Sequence, residues 1–250
     1  MPVKIIESSA DSGRQFHSDY FDKRMFPLEK SSQTLIVYSC DNARLSPETQ
    51  RLIGSIRKPL LVHLSDETRI HVTDYYERVE AVIRPYFDAR ISGANIWFVP
   101  IGYANGYAND RSAVQTTRPL SWVFAGQAKG HRGEMIGHLS SIAPNCMHLT
   151  TGWLSADGLS PHEVIDLYKR TVFVPCPFGN SHPDSLRICE ALEWGCLPVT
   201  VKFMGTDYFK YIFGDHPFIV SNDWAQAASH MKELLADQVA LAELQQRTAT

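Results

Sequence analysis

The residues with the clearest chemical potential lie between Phe173 and Val199, in the run FVPCPFGNSHPDSLRICEALEWGCLPV. An apolar strand is followed there by a loop of Gly, Asn, Ser and Pro, and then by a helix that opens at Asp184. A helix start presents unpaired backbone N–H groups and the positive end of the helix dipole, and Ser185 and Arg187 add a hydroxyl and a guanidinium. This junction is therefore predicted to bind an anion, most naturally a phosphate.

A carboxylate follows on the same helix face. Glu190 stands three residues after Arg187, and a carboxylate in that position can accept two hydrogen bonds from a sugar diol. A phosphate site beside a ribose site predicts a bound nucleotide. A purely structural interpretation stays open, in which Ser185 only caps the helix, Arg187 is a surface residue and Glu190 pairs with it or with water.

A second group of basic residues follows the strand that ends near Gly126. The loop GQAKGHR matches neither GxGxxG nor GxxxxGK[ST], yet Lys129 and Arg132 stand close to a predicted helix start. An arginine there can hold two diphosphate oxygens at once. The alternative is an ordinary loop between strand and helix with solvated basic side chains. Gly195 to Val199 is assigned to structure, as a helix C-cap and the start of the next strand.

Two adjacent acids, Asp66 and Glu67, close the predicted strand that ends at Leu64. A carboxylate at the edge of a cleft can take a proton from an attacking hydroxyl group, and only one of the two neighbours can face the cleft. Helix capping or simple solvation is the competing interpretation. Aromatic residues in predicted loops add weak support for sugar or base stacking; they are Tyr103, Tyr107, Trp153 and Phe178.

Composition narrows the classes of partner and cofactor. The net charge is -3 and the basic residues are scattered, which argues against a nucleic-acid partner. The five cysteines form no CxxC pair and are expected to be reduced, and no HExxH zinc motif or Ser/His/Asp arrangement is readable. No apolar run reaches the roughly 18 to 20 residues that span a bilayer. The chain is therefore expected in the cytoplasm, with peripheral association at the inner membrane face left open.

Strands and helices alternate along the sequence, which predicts an α/β fold with parallel sheets. In the first half we expect a lead-in at 1–33, strands at 35–38, 59–64 and 95–99, and helices from 46 and over 74–83. In the second half we expect strands at 122–125, near 147, 171–175, 197–201 and 217–220, and helices at 132–141, after 160, 183–194 and from 223. The loop-like residues 101–119 predict a link between two domains, 1–115 and 116–250.

Several of these segments together resemble the exostosin-type glycosyltransferases. The resemblance covers about the second half of the chain, and its motifs occur in the family's order. They are Trp122 to Gly126 followed by Arg132, Phe173 to Gly179, the pattern Asp184-Ser185-x-Arg187-x-x-Glu190-Ala-Leu, Gly195 to Val199, and Pro217-Phe with Trp224. The first half is similar only at the strand end VHLSDE.

The resemblance implies a GT-B fold: two Rossmann-like βαβ domains whose parallel sheets face a cleft, with the nucleotide-sugar on the C-terminal domain and the acceptor on the N-terminal one. It implies that Arg132, Ser185 and Arg187 contact the donor diphosphate and that Glu190 holds the ribose. Gly126 and Asp184 complete the predicted donor-binding set, which comprises Gly126, Arg132, Asp184, Ser185, Arg187 and Glu190.

The expected activity is transfer of a hexosyl or pentosyl group from a nucleotide-sugar, with UDP as the expected nucleotide, to a saccharide or glycoconjugate acceptor in polysaccharide biosynthesis. No metal ion or other cofactor is expected, because an arginine and a helix N-terminus can stabilise the leaving diphosphate. For an inverting reaction, Asp66 or Glu67 is the predicted base. A catalytically inactive nucleotide-sugar-binding protein is the alternative, and an epimerase or reductase is disfavoured by the absence of GxGxxG and of a YxxxK pair.

Overall fold

The computed structural model divides the chain into two units. The first comprises Met1–Asn105 with Gly179–Asp184, and the second comprises Gly106–Phe178 with Ser185–Thr250. The predicted domain boundary between 115 and 116 lies outside the described residues. The structure describes residues 4–7, 19–20, 24, 34–38, 47–57, 59–64, 66–70, 72–109, 117–152 and 155–248.

The first unit is built on a five-stranded parallel sheet whose strands lie in sequence order. The strands are β1 (Lys4–Glu7), β2 (Thr34–Tyr38), β3 (Leu60–Leu64), β4 (Ala81–Arg84) and β5 (Ile96–Phe98). Helix α1 (Pro47–Ser55) connects β2 to β3, and a 3-10 helix (Asp74–Arg78) precedes β4. Asp66 and Glu67 thus follow β3 at the carboxyl end of the sheet, as predicted.

An apolar cluster holds these elements together. Leu61 and Val82 are paired across β3 and β4 and are fully buried. Ile53 of α1 and the rings of Tyr75 and Tyr76 pack against them. Each such apolar side chain stabilises the fold by roughly 1.5–3 kcal/mol relative to an exposed position.

One sequence prediction for this unit is wrong. The helix expected over 74–83 is a short 3-10 helix followed by strand β4. The 3-10 helix buries both tyrosines, and the run Ala81–Arg84 pairs with β3, so tertiary packing outweighs the local helical pattern. Within the segment 1–33, expected as a lead-in, the structure describes β1, which pairs with β2.

The second unit carries another five-stranded parallel sheet, in the order β10-β9-β8-β6-β7. Its strands are β6 (Leu120–Gly126), β7 (Asn145–Leu149), β8 (Thr171–Pro175), β9 (Leu197–Val201) and β10 (Ile219–Ser221). The chain runs from β6 outward to β7 and then returns to the other side of β6, so the strand order reverses between β6 and β8. Ligands of open α/β sheets bind at the carboxyl ends of the strands beside such a reversal.

Helices connect the strands of this second sheet, and two more follow its last strand. They are α2 (Arg132–Leu139), α3 (Pro161–Lys169), α4 (Leu186–Glu193), α5 (Lys210–Phe213), α6 (Trp224–Ala236) and α7 (Gln238–Thr248). Helix α3 begins at a complete capping box formed by Ser160 and Glu163. Helix α4 begins three residues later than the predicted Pro183 and ends before Gly195, whose φ of 66° fits the predicted C-cap role.

The core of the second unit lies between its sheet and helices. Trp122, Phe124 and Phe173 are fully buried on the central strands, and Met135 and Met231 cover them from α2 and α6. The indole of Trp122 donates to Ile142 O at 2.9 Å, which satisfies its buried polar group. This packing fixes the strand ends from which the candidate site residues project.

Two further features bear on chemical class. Four described cysteines carry free thiols; they are Cys146, Cys176, Cys189 and Cys196, whereas Cys40 lies outside the described residues. In the part of the chain that is described, no helix is long and apolar enough to span a membrane.

Candidate functional site

The point at which the strand order reverses in the second sheet brings two predicted segments together. Gly126 ends β6, and the loop after β8 leads to Ser185, which stands directly before α4. Since β6 and β8 are neighbouring parallel strands, both segments lie at the same edge of the sheet. The structure therefore gathers Gly126, Ser185 and Arg187 in one place.

Ser185 occupies the N-cap position of α4 with φ -135° and ψ 147°, but its hydroxyl makes no capping hydrogen bond. The Oγ atom is buried and has no hydrogen-bond partner among the described residues. The interpretation in which this serine merely caps the helix is therefore wrong for its side chain. An unpaired buried hydroxyl costs roughly 1–3 kcal/mol, a cost that a bound anion would remove.

Arg187 turns back from α4 toward β6. Its Nη2 donates to Ala125 O at 2.9 Å, and its guanidinium carbon lies 4.8 Å from the centre of the Phe124 ring. A carbonyl and an aromatic face thus fix the plane of the guanidinium at the end of β6. Such a fixed plane can present its remaining N–H groups to phosphate oxygens with little ordering cost.

Gly126 makes the approach of this arginine possible. Its φ is 147°, and a Cβ at this position would stand 3.1 Å from Arg187 Nη2. Any larger residue would both strain the backbone and push the guanidinium away. The glycine at the end of the strand, predicted as part of the donor set, is therefore explained by the packing of Arg187.

Arg132 connects the loop after β6 to the loop after β8. Its guanidinium donates to Gln127 O at 3.3 Å and to Phe178 O at 3.2 Å. The Phe178 ring lies between His131 and Phe203, with centroid distances of 5.1 Å and 5.5 Å. Arg132 thus fixes both loops at the carboxyl edge of the sheet.

Glu190 lies on α4 beyond Arg187 and is buried. Tyr168 of α3 donates its hydroxyl to Glu190 Oε2 at 3.4 Å. Burial, and then the Glu190 carboxylate, raise the pKa of Tyr168 well above its ordinary value. The same two causes raise the pKa of Tyr107, while the Arg187 guanidinium opposes the shift. The predicted ribose-binding carboxylate thus accepts a hydrogen bond from one buried tyrosine hydroxyl.

Asp184 belongs to the first unit, unlike the other predicted donor residues. Its side chain is buried, and Ile101 N donates to its Oδ2 at 3.2 Å. Its own N–H donates to His182 Nδ1 at 3.2 Å, and that ring is also buried. Burial raises the pKa of Asp184 to about 8. These contacts fix Asp184 within the first unit.

The raised pKa of Asp184 predicts a pH-dependent stability. In the unfolded state this carboxyl group ionises near pH 4, so between about pH 4 and 8 the folded state holds a proton that the unfolded state has lost. The free energy of unfolding therefore falls as the pH rises through about 8. Between about pH 6.5 and 8.5 the loss should be about 2 kcal/mol, and Asp184→Asn should remove most of this pH dependence. Urea unfolding at both pH values measures this change in the free energy of unfolding. Asp215→Asn, at an exposed aspartate, is the matched control. An unchanged pH dependence in Asp184→Asn would contradict the assignment.

Asp66, the first of the two predicted bases, is buried in the interior of the first unit. Arg84 Nη2 donates to its Oδ2 at 2.9 Å, and Ile70 N donates to its Oδ1 at 3.2 Å. Arg84 also donates to the Tyr76 hydroxyl, which contacts His63 Nδ1. Both charges of the ion pair are buried, so removal of either partner would leave an uncompensated charge.

Glu67, the second predicted base, contacts the segment Gly179–Asp184 within the same unit. Its Oε1 accepts from Asn180 N at 2.7 Å and from Ser181 N at 3.0 Å. A Cβ on Gly179 would stand 2.8 Å from that oxygen. Two consecutive backbone N–H groups that converge on one carboxylate oxygen form an anion-binding turn, and here Glu67 occupies it.

Sequence reasoning missed several residues of this arrangement. Arg84 and Tyr168 gave no signal, because their importance comes from partners 18 and 22 residues away in the chain. Tyr107 was signalled weakly as a loop aromatic. Among the described residues, no cluster of three His, Cys, Asp or Glu side chains is arranged to hold a metal ion.

Solved structures of an α1,3-fucosyltransferase resemble this protein over nearly its whole length. One aligns with a TM-score of 0.55 at 12% identity, covering 98% of this chain and 81% of that chain. The fold is that of the GT-B glycosyltransferases. A structure of the fucosyltransferase with GDP gives a TM-score of 0.53, with the same identity and coverage. A structure with GDP-fucose gives 0.51, at 12% identity over 98% of this chain and 82% of that chain.

The similarity between this protein and the fucosyltransferase structures is a similarity of fold. No protein-family model matches the sequence, and no curated protein matches it. The predicted α/β class with two parallel sheets is confirmed, as is its GT-B type. The reaction must be argued from the chemistry of the site, because fold alone does not determine activity.

Proposed function

We propose that this protein is a glycosyltransferase that moves a hexosyl or pentosyl group from a nucleotide-sugar to a saccharide or glycoconjugate acceptor. The observation that carries the proposal is the start of α4, where the Ser185 hydroxyl is buried without a partner among the described residues and Arg187 is oriented beside it. Glu190 on the same helix supplies a carboxylate for ribose. An exostosin-type role in polysaccharide biosynthesis belongs to the same proposal.

The chemistry follows from the leaving group. When the bond between the sugar and the diphosphate breaks, negative charge grows on the diphosphate oxygens. The N-terminus of α4, the Ser185 hydroxyl and the Arg187 guanidinium are placed to stabilise that charge, and they need no reorganisation during the reaction. We propose that these groups suffice without a metal ion. Arg132 supports the same site by joining the two flanking loops.

For an inverting reaction we propose Glu67 as the base that deprotonates the acceptor hydroxyl. Both carboxylates accept hydrogen bonds on each oxygen, but Asp66 is buried in an ion pair with Arg84, whereas Glu67 is only half-buried. A base needs direct access to the hydroxyl that it deprotonates. Asp66, through Arg84, then orients the turn that carries Glu67.

Two nucleotides are candidates for the donor. The sequence resemblance predicts a UDP-sugar. The fucosyltransferase of similar fold was solved with GDP and with GDP-fucose, which makes GDP-sugars the first alternative. The proposed contacts of this chain are with the diphosphate and the ribose, which UDP and GDP share. UDP and GDP donors must therefore be assayed side by side.

A transfer assay tests the function directly. Purified protein is incubated with a panel of UDP- and GDP-sugars and saccharide acceptors, with and without EDTA, and both nucleoside diphosphate release and glycosylated product are measured. We expect product from one donor class, undiminished by EDTA. Loss of product on chelation would overturn the metal-free mechanism and leave the transferase assignment intact.

A catalytically inactive nucleotide-sugar-binding protein is the second candidate. The observation that favours it is the engagement of both acids in protein contacts, Asp66 with Arg84 and Glu67 with the turn at Asn180 and Ser181. The same assay separates the two candidates. Binding of nucleoside diphosphates without hydrolysis or transfer of any donor would establish the inactive protein.

A further inference from the structure

A cluster of charged side chains lies at the carboxyl edge of the first sheet and consists of Arg69, Asp88 and Arg90. Arg69 follows β3 and Asp88 follows β4, which are neighbouring parallel strands. The cluster therefore occupies the edge of the sheet at which open α/β folds bind their ligands. Glu67, the proposed base, follows β3 at the same edge.

Arg90 binds the Asp88 carboxylate closely. Its Nε donates to Asp88 Oδ1 at 3.0 Å, its Nη2 donates to Oδ2 at 2.6 Å, and its backbone N–H donates to Oδ1 at 2.9 Å. The side-chain hydrogen bonds from Arg90 lower the pKa of Asp88 to about 2, so this carboxylate is charged at neutral pH. One exposed arginine is therefore enough to pair with Asp88.

Arg69 is held much less closely by the same carboxylate. Its Nη1 lies 3.6 Å from Asp88 Oδ2, which is too long for a hydrogen bond. Its Nε is buried without a hydrogen-bond partner among the described residues, although the side chain as a whole is only 21% exposed. A buried donor without a partner destabilises a protein, and an acceptor oxygen from a ligand would remove that cost. Because two guanidinium groups share one carboxylate, the cluster has a net positive charge.

The backbone at this edge is strained on both strands. Arg69 has a φ of 55° and Tyr86, which follows β4, has a φ of 61°. Residues other than glycine rarely adopt this left-handed conformation. Strained residues of this kind occur preferentially at ligand-binding sites, where the surrounding structure holds them in place. The strain is thus a second observation, independent of charge, that indicates a binding site here.

Arg69 shares a turn with Glu67. The Arg69 backbone N–H donates to Asp66 O at 3.1 Å, which closes a β-turn over 66–69. The Asp66 side chain fixes this turn to the core through its buried ion pair with Arg84. A saccharide that presents a hydroxyl group to Glu67 therefore lies within reach of Arg69.

We propose that Arg69 binds an anionic group of the acceptor, so that the acceptor is an acidic saccharide with a carboxylate or a phosphate. This inference rests on the proposed function and adds to it the chemical class of the acceptor. The net positive charge of the cluster selects an anion. A guanidinium can donate two parallel hydrogen bonds to a carboxylate or to a phosphate, whereas a neutral saccharide has no such group to offer.

Titrations of wild type and Arg69→Gln with glucose, glucuronate and glucose 6-phosphate, followed by NMR, test the inference. Wild type should bind at least one of the two acids about tenfold or more tightly than glucose, because a hydrogen bond to a charged group contributes that much. Arg69→Gln should lose this preference and keep its affinity for glucose. Since the proposed donor site also binds phosphate, only the affinity that depends on Arg69 counts.

Two further variants complete the test. Arg69→Lys keeps the charge without the planar fork and should retain only part of the preference, which decides the matter if Arg69→Gln does not fold. Arg51→Gln, at an exposed arginine of α1 in the same unit, is the matched control and should bind all three probes as wild type does. The unfolding midpoint of each variant is measured alongside.

The inference is overturned if wild type shows no preference for either acid, or if the preference survives in Arg69→Gln. An equal loss in Arg51→Gln also overturns it, because the effect would then be one of general charge. Transfer assays distinguish this inference from the proposed function. Transfer to neutral acceptors as efficient as transfer to acidic ones contradicts the acceptor class alone. Arg69-dependent binding of an acid without transfer from any donor contradicts the transferase function and leaves the anion site in place.

Discussion

Replacement of Arg187 by alanine is expected to weaken nucleoside diphosphate binding by about 1.5–3 kcal/mol, because a hydrogen bond to a charged group contributes that much. The guanidinium is already oriented by Ala125 O and by the Phe124 ring, so little of its interaction energy is spent on ordering. Transfer should fall further than binding, since diphosphate charge grows in the transition state. Titration calorimetry and the kcat/KM of transfer measure the two effects.

The variant Arg187→Lys refines this test. A lysine keeps the positive charge but lacks the planar fork that contacts both the carbonyl and the phosphate oxygens. It should recover only part of the lost affinity. Arg247→Ala, at an exposed arginine of α7, is the control and should behave as wild type. Donor affinity that survives in Arg187→Ala would return this arginine to a structural role.

The substitution Glu67→Gln should lower turnover by about a hundredfold or more while donor affinity is retained, if Glu67 is the base. Glutamine keeps a side-chain oxygen that can accept from Asn180 N and Ser181 N, so the turn should keep its conformation. The amide cannot take up the acceptor proton. Steady-state kinetics with the donor that proves active, together with donor titration, separate kcat from binding.

Asp66→Asn serves as the companion variant. The wild-type Asp66 carboxylate pairs with buried Arg84, so the substitution should lower stability. The kinetics of the variant must therefore be compared with its unfolding midpoint. Glu67→Gln carries no such expected penalty. Full activity in both variants would show that the base lies elsewhere. A loss of donor affinity in Glu67→Gln would instead make Glu67 a residue that positions the turn before α4.

The second unit was largely predictable from sequence, for a physical reason. Its strands are short apolar runs bounded by polar or glycine-containing segments, such as Thr171–Pro175 and Leu197–Val201, and both were predicted with the observed bounds. The capping box at Ser160 and the glycine at 195 define helix ends by local chemistry alone. Where local signals and tertiary packing agree, sequence is sufficient.

The first unit was harder because its signals conflict. Ala81–Arg84 is only four residues long and ends in an arginine, which is unusual for a buried strand. That arginine is tolerated inside because Asp66 and Tyr76 satisfy it, and neither partner can be recognised from the local sequence. The strand Lys4–Glu7 is stabilised by pairing with β2, a contact about thirty positions away in the chain.

The site shows the same division. Residue types and spacing predicted Ser185, Arg187 and Glu190 as donor-binding residues, because a helix start has a fixed chemistry. Sequence could not show that the Ser185 hydroxyl makes no cap, or that Glu67 contacts a turn 113 residues away. Such long-range pairings depend on the strand order, and they decide which candidate side chains are bound to other parts of the fold.

A structure of the protein with UDP or GDP bound would locate the donor site itself. We expect the diphosphate at the start of α4, within hydrogen-bonding distance of Ser185 Oγ and the Arg187 guanidinium, with the ribose hydroxyls on Glu190. A nucleotide bound at another edge of the sheet, or a diphosphate that leaves Ser185 and Arg187 without contact, would contradict it.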